Sequence, residues 1–385
     1  MKESEIANIP ESFDESEDDL RVDFLEKIYE TVLWSTDWTI ETINASLVRG
    51  AFDLDPSFQR RNAWNRVQKS RLIESLIFNL PIPQIVLAES KRKRGEFIVV
   101  DGKQRLLTIQ EFFSEKEGFK LSGLNNSNLN GLDSKNLEEK FPDYHSNLIV
   151  YTMRSVIIKN WPSDNFLYTI FYRLNTGSVP LSPQELRKSL KPGRFLNFVD
   201  DFASESKVIR NLIGKSEPDP RMRDLDLVLR YIAFKTNAAN YSGNYKDFID
   251  RICDIYNEGW ENKVVDVKEL LSKLEETISA LSKVFGKERV FRRQGEKRME
   301  SRINRALYDV MTYYFSSVQP TAILERKSEI RKLVDNLISG NQSFINSTSF
   351  ATNGLTETTT RFTIFGEKFL QIFPDSAVIP NFGRT

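Results

Sequence analysis

The sequence has one histidine, His145, and one cysteine, Cys253, among 385 residues. A single cysteine excludes an internal disulfide and suits a reducing compartment. A single histidine argues against a His-rich metal centre, a two-His zinc protease and an HNH-type nuclease, which draws on more than one imidazole for its base and metal ligand. Zinc-finger chemistry falls with the same two counts. No apolar run approaches the roughly 18 residues of a membrane span. The acidic N-terminus carries no basic-then-apolar signal pattern, so the reading is of a cytoplasmic protein. Net charge is missing as well: 54 Lys and Arg offset 54 Asp and Glu. Any contact with nucleic acid therefore needs a local patch. There is no internal repeat and no Walker-type glycine loop. The chemistry falls to carboxylates, Lys, Arg, Gln, Asn and hydroxyls.

What is present divides the chain. Residues 1–22 are rich in Glu, Asp and Ser and predict an acidic disordered tail. Residues 23–190 mix strand and helix signals. The pattern is amphipathic from Phe24 to Val48. Asn65 and Gln68 form an N-x-x-Q helix start, and Leu72, Ile73, Leu76, Ile77 and Leu80 mark one face of the helix that follows, ended by Pro81 and Pro83. "QIVLAES" and "EFIVV" read as strands around a "KRKRG" hairpin tip. After the second strand, Leu106, Ile109, Gln110 and Phe113 share one helical stripe. Residues 121–146 are Asn-, Ser- and Lys-rich and read as a loop, and "NLIVYTMRSVIIKN" as one or two strands. Ser182-Pro183-Gln184-Glu185 is a capping box with Pro at the first helical position. Past Lys191 the strand signals nearly vanish. Residues 191–345 read as a helical domain, and 346–385 as a polar segment and tail. The fold class is α+β: a mixed-sheet N-terminal domain followed by an all-helical one.

The stretch "VVDGKQRLL" concentrates polar residues where a buried strand meets a helix. A helix N-terminus offers free N–H groups and partial positive charge, which suits phosphate. Lys103 and Arg105 add full charges, and Arg grips phosphate oxygens in a fork. Asp101 has the chemistry to hold Mg²⁺ or orient water, and Gln104 to fix a water or a base edge. A purely architectural reading stands beside this one. In it Asp101 caps the helix, Gly102 makes the turn, and Arg105 pairs with Asp101 one turn on. "FQRRNAW" is open in the same way. Gln59, Arg60 and Arg61 suit phosphate or a base, or else form a surface turn anchored by Trp64. "YRLNTG" sets Arg173, Asn175 and Thr176 at a helix end beside Gly177, as ligands or as ordinary capping. Two basic runs are candidate DNA-backbone contacts, with a solvated surface as the alternative. One is Lys91, Arg92, Lys93 and Arg94; the other includes Arg292, Arg293 and Arg298. His145 reads as an exposed bystander and Cys253 as core.

"FQRRNAW", "SRLIESLIFNLPIPQIVL", "VVDGKQRLLTIQEFF" and "FYRLNTGSVPLSPQELRKSL" together resemble the DGQQR-motif domain of the ParB/sulfiredoxin-like superfamily, in that family's order and separations. This is the N-terminal domain of GmrSD-type modification-dependent restriction and anti-phage proteins. The resemblance is specific over about 50–195 and looser beyond, where "RINRALYDVM" is also similar. It implies binding of a nucleoside triphosphate with Mg²⁺, and hydrolysis coupled to a nuclease that attacks modified or invading DNA. Carried over, the catalytic positions are Asp101, Gln104 and Arg105, with Asp101 the metal ligand. Gln59, Arg60, Gly102, Lys103, Arg173, Asn175 and Thr176 bind nucleotide. The family's first Gln is Lys103 here, a point charge that cannot accept a hydrogen bond, which bears on hydrolysis. Many relatives carry a C-terminal HNH nuclease. With one His, this chain reads as a stand-alone form that is not itself a nuclease and acts with a partner nuclease encoded nearby, and with DNA or as an oligomer. The sulfiredoxin branch uses an active-site Cys, whereas Cys253 lies far downstream. The alternatives are a nucleotide or DNA sensor without turnover and an antitoxin-like subunit that silences a toxic nuclease.

Overall fold

Runs of β-branched and aromatic residues supply the core strands of the sheet. The computed structural model describes residues 30–54, 64–91, 93–116, 118–174, 182–293, 300 and 302–383. These fall into two compact units that divide between Leu190 and Lys191. The first unit holds a five-stranded mixed sheet of β1 (Val32–Thr39), β2 (Phe52–Asp53), β3 (Ile85–Glu89), β4 (Phe97–Asp101) and β5 (Thr152–Lys159), in the order β1-β5-β3-β4-β2. β1/β5 and β3/β4 are antiparallel; β5/β3 and β4/β2 are parallel.

Side-chain alternation along the central strands sends residues to two cores. Ile85, Leu87, Val99 and Ile157 face one, and Val86, Ala88, Ile98, Val100 and Ile158 the other. The first core is closed by α1 (Ile40–Val48), α2 (Arg66–Ile77), α3 (Lys103–Phe112), α4 (Ser134–Lys140) and α5 (Pro142–Val150). The second is closed by α6 (Asp164–Leu174) and α7 (Pro183–Leu190). Burial on both faces is why "FIVV" reads as an unbroken apolar run. Both capping boxes form. Asn65 N–H donates to Gln68 Oε1 and Gln68 N–H to Asn65 Oδ1, each at 3.0 Å. Ser182 N–H donates to Glu185 Oε2 at 2.6 Å, and Glu185 N–H to Ser182 Oγ at 3.2 Å. Trp64 packs against the first core.

Three sequence expectations change. Residues 121–146 are not a loop throughout. Asp133 caps α4, accepting from Asn136 N–H at 2.9 Å, and its carboxyl is held below the usual range chiefly by that bond. Leu129, Leu132 and Leu137 are buried in the first core; the Asn and Ser residues between them hid the pattern. "NLIV" closes α5 instead of starting a strand, and His145 is half-buried on that helix. Residues 346–385 are not simply a polar tail. Phe362, Phe365 and Phe369 form a buried stripe on an 18-residue helix, Leu355–Ile372, whose Thr-rich first half masks the period.

Among the described residues the second unit has no strand. It contains α8 (Arg194–Glu205), α9 (Lys207–Leu212), α10 (Arg223–Asn237), α11 (Tyr245–Asn257), α12 (Trp260–Phe285), α13 (Arg305–Phe315), α14 (Pro320–Glu325), α15 (Lys327–Gly340), α16 (Gln342–Ser347) and α17 (Leu355–Ile372). α10 and α13 meet through a buried fork: Arg230 Nε and Nη2 donate to Asp309 Oδ1 and Oδ2 at 2.7 and 2.5 Å. Arg361 of α17 reaches the same carboxylate, with Nη2 3.5 Å from Oδ2. Cys253 is fully buried, as its apolar neighbours predicted. No helix of the described residues is long and apolar enough to cross a membrane.

Candidate functional site

The site is built where β4 hands over to α3. β4 pairs with β3 through a register shift between Val86 and Leu87, so Asp101 faces Val86 while Val99 faces Leu87. This bulge sits at the last step before the junction, a place where bulges re-aim a side chain. Gly102 then turns the chain at φ +97° and ψ 10°. A Cβ there would lie 2.4 Å from Ile85 Cγ2 and 3.0 Å from Ile85 Cβ. The glycine is thus required twice, for its left-handed backbone and for its closeness to β3.

α3 begins at Lys103 with no side-chain cap on its first turn. The first N–H groups of a helix have no intrahelical acceptor, and Gly102 has no side chain to accept from them. Lys103 is 3% exposed. Gln104 is half-buried, and its Oε1 is a buried acceptor with no hydrogen-bond partner. Arg105 is 8% exposed and strongly held. Its Nη2 donates to Asp101 Oδ2 at 2.8 Å and to the Gln84 carbonyl at 3.2 Å, and its Nη1 donates to the Pro83 carbonyl at 3.0 Å. The one-turn Asp101–Arg105 pair of the architectural reading is therefore present. Asp101 does not cap α3, because it is the last residue of β4 and Gly102 holds the cap position. The Asp101 side chain remains about a quarter exposed, at 26%.

The other predicted positions are more scattered. Gln59, Arg60, Arg92, Asn175, Thr176 and Arg298 lie outside the described residues. Arg173 is exposed in the last turn of α6. At the β3–β4 tip, Lys91 Nζ sits 3.7 Å above the Trp161 ring and donates to the Pro162 carbonyl at 3.2 Å. Lys93 pairs with Glu96 at 2.6 Å, and Arg94 is exposed. Arg292 donates to the carbonyls of Lys287, Val290 and Leu212, all at 3.2 Å, and burial lowers its guanidinium pKa. Arg293 pairs with Glu300 at 3.1 Å and donates to the Ile345 carbonyl and Thr348 Oγ1, both at 3.4 Å. These two arginines tie the turn after α12 to α9 and α16. Their donors serve carbonyls, a hydroxyl and a carboxylate of their own unit.

Among the described residues, no group of three or more His, Cys, Asp or Glu is placed to hold a metal ion. Asp101 belongs to no such group. That fits Mg²⁺ arriving with phosphate oxygens, since Mg²⁺ keeps several waters and takes one or two carboxylates plus substrate phosphates. Sequence reasoning missed the Pro83 and Gln84 carbonyls. Pro81 and Pro83 signalled a helix end, and nothing local says which donor a carbonyl receives. It also missed the Arg230–Asp309–Arg361 cluster, whose members are too far apart in the chain to leave a spacing signal.

Residues 40–190 match the family model described as the GmrSD restriction endonuclease, N-terminal domain. The matched span starts just after β1 and holds β2 to β5, the helices α1 to α7, and the β4–α3 junction. Comparison with curated proteins and with solved structures found no match.

Proposed function

We propose, from the match of residues 40–190 to the GmrSD restriction endonuclease N-terminal domain, that the protein is a component of restriction-type defence and that its β4–α3 junction binds a nucleoside triphosphate with Mg²⁺. We further propose that its hydrolysis gates a separate nuclease or the engagement of DNA. The observation that carries this reading is the start of α3 behind Gly102, a cap residue with no side chain, which brings Lys103 and Gln104 into the first turn. Backbone N–H groups at a helix start, the helix dipole and a lysine together make an anion site. Gln104 Oε1, a buried acceptor without a partner, supports a role in holding a water or a base edge, because leaving such an atom unpaired costs about 1–3 kcal/mol.

The roles follow from donor and acceptor chemistry. First-turn N–H groups and Lys103 serve the phosphate oxygens. Asp101, a quarter exposed at 26%, is the carboxylate available to Mg²⁺. Mg²⁺ held there by Asp101 would supply positive charge to offset the charge developing on the phosphate. Gln104 orients the attacking water. A non-hydrolysing sensor is the second reading, favoured by Lys103, which supplies charge but no hydrogen-bond acceptor. The experiment is phosphate release from each of the four NTPs with Mg²⁺, for wild type and Asp101→Ala, with calorimetry for NTP binding. Turnover abolished by the substitution supports the NTPase. Binding without turnover selects the sensor. Neither binding nor turnover overturns the nucleotide site.

A further inference from the structure

We infer that Arg105 is a positioning residue for Asp101 and not a phosphate ligand, an assignment that rests on the nucleotide site proposed above. Three contacts fix the guanidinium: Asp101 Oδ2 at 2.8 Å, the Pro83 carbonyl at 3.0 Å and the Gln84 carbonyl at 3.2 Å. Pro83 and Gln84 immediately precede β3, and Asp101 closes β4. Arg105, on α3, therefore pins the start of one strand to the end of its neighbour, beside the register shift at Val86 and Leu87.

Gly102 is part of the same device. A Cβ at position 102 would lie 3.1 Å from Arg105 Nη2, so the glycine also keeps room for the guanidinium beside the turn. The arginine is 8% exposed, and its fork is taken up by acceptors within the protein. To grip phosphate it would have to leave a carboxylate and two carbonyls that it alone is seen to join. Asp101 keeps a quarter of its side chain in solvent while Oδ2 is held. A carboxylate whose orientation is fixed by a neighbouring arginine is poised to ligate a hard cation. Partners that orient a metal ligand typically change metal affinity when removed.

This separates two sets of residues in one short motif. Lys103 and the first-turn N–H groups answer to the anion. Arg105 answers to Asp101 and, through it, to the cation. Lysine cannot replace Arg105, because a single ammonium on a flexible stem does not reproduce the planar fork that reaches three acceptors.

The test uses the full chain and whichever NTP the release assay selects. Nucleotide binding is measured by calorimetry in EDTA, and turnover is measured against Mg²⁺ concentration, for wild type, Arg105→Lys, Arg105→Ala, Lys103→Ala and Asp101→Asn. Folding of each is checked by near-UV circular dichroism. The expected result is that Arg105→Lys leaves NTP affinity in EDTA unchanged while the half-saturating Mg²⁺ concentration rises roughly 10–100-fold. Asp101→Asn should show the same pattern, and Lys103→Ala should lose NTP affinity even in EDTA. Loss of NTP affinity in EDTA by Arg105→Lys, with Mg²⁺ dependence unchanged, would make Arg105 a phosphate ligand and overturn the inference. So would an Arg105→Lys variant that matches wild type throughout. If Arg105→Ala fails to fold, the Lys variant and Asp101→Asn still decide. A wild type that binds no NTP overturns the nucleotide site itself, a result visible before any variant is compared.

Discussion

Replacing Gly102 with Ala tests the geometry of the junction directly. The backbone at φ +97° is in the left-handed half of conformational space, which costs an L residue about 1–2 kcal/mol. The new methyl also meets Ile85 Cγ2 at 2.4 Å and Ile85 Cβ at 3.0 Å, on the central strand of the sheet. Overpacking of this kind adds about 1–3 kcal/mol. The lower entropy of an unfolded chain with Ala returns about 0.4–1 kcal/mol. The net destabilisation is about 2–4 kcal/mol, which lowers the melting temperature of the sheet unit by roughly 5–15 °C. Gly131→Ala is the control: its φ is +86°, but a Cβ there meets nothing within 4 Å. Only the backbone penalty applies at that site. The assay is thermal unfolding followed by tryptophan fluorescence, since Trp34, Trp38, Trp64 and Trp161 lie in the sheet unit and Trp260 in the helical one. If Gly102→Ala and Gly131→Ala melt together, the close approach to Ile85 is refuted. A double substitution with Ile85→Ala removes the clashing Cγ2, so the two changes should couple favourably, and additive effects would count against the contact.

Asp309→Ala strands two buried guanidinia, Arg230 and Arg361. Breaking a buried pair should destabilise the helical unit by about 3–5 kcal/mol in urea unfolding, and a loss below about 1 kcal/mol would place the cluster with surface pairs. Burial, with Lys273 nearby, pushes the Lys235 ammonium down to about 8. The unfolded chain then binds more protons than the folded one above pH 8, so stability should rise between about pH 8 and 9.5. Lys235→Met should flatten that rise, and an unchanged slope would refute the assignment. Asn65→Ala removes half of the box that starts α2. It should cost about 1 kcal/mol, read as a shift in the urea midpoint.

The junction was legible because its signals are local. β-Branched and aromatic runs mark β3 and β4, and the glycine marks the turn. The boxes at Asn65–Gln68 and Ser182–Glu185 name two helix starts, because a side chain bonds the backbone three residues away. The Asp101–Arg105 pair was legible for the same reason, being one helical turn apart. α17 was obscured because threonines on its first turns dilute the Phe362–Phe365–Phe369 period. The acceptors that Arg292 and Arg293 take were not legible, because charge alone does not say which carbonyls fold back on a basic run.

By itself, the sequence determined which segments alternate, where helices start, and that Asp101 to Arg105 stand at a strand-to-helix turn. Tertiary structure alone decided the strand order β1-β5-β3-β4-β2. It also decided that Arg105 serves the Pro83 and Gln84 carbonyls, and that Asp309 draws in Arg361. The physical reason is separation along the chain. Propensity, capping and one-turn pairs act between near neighbours. A donor's choice among distant acceptors is settled only when packing closes the loops between them and excludes water from the rest.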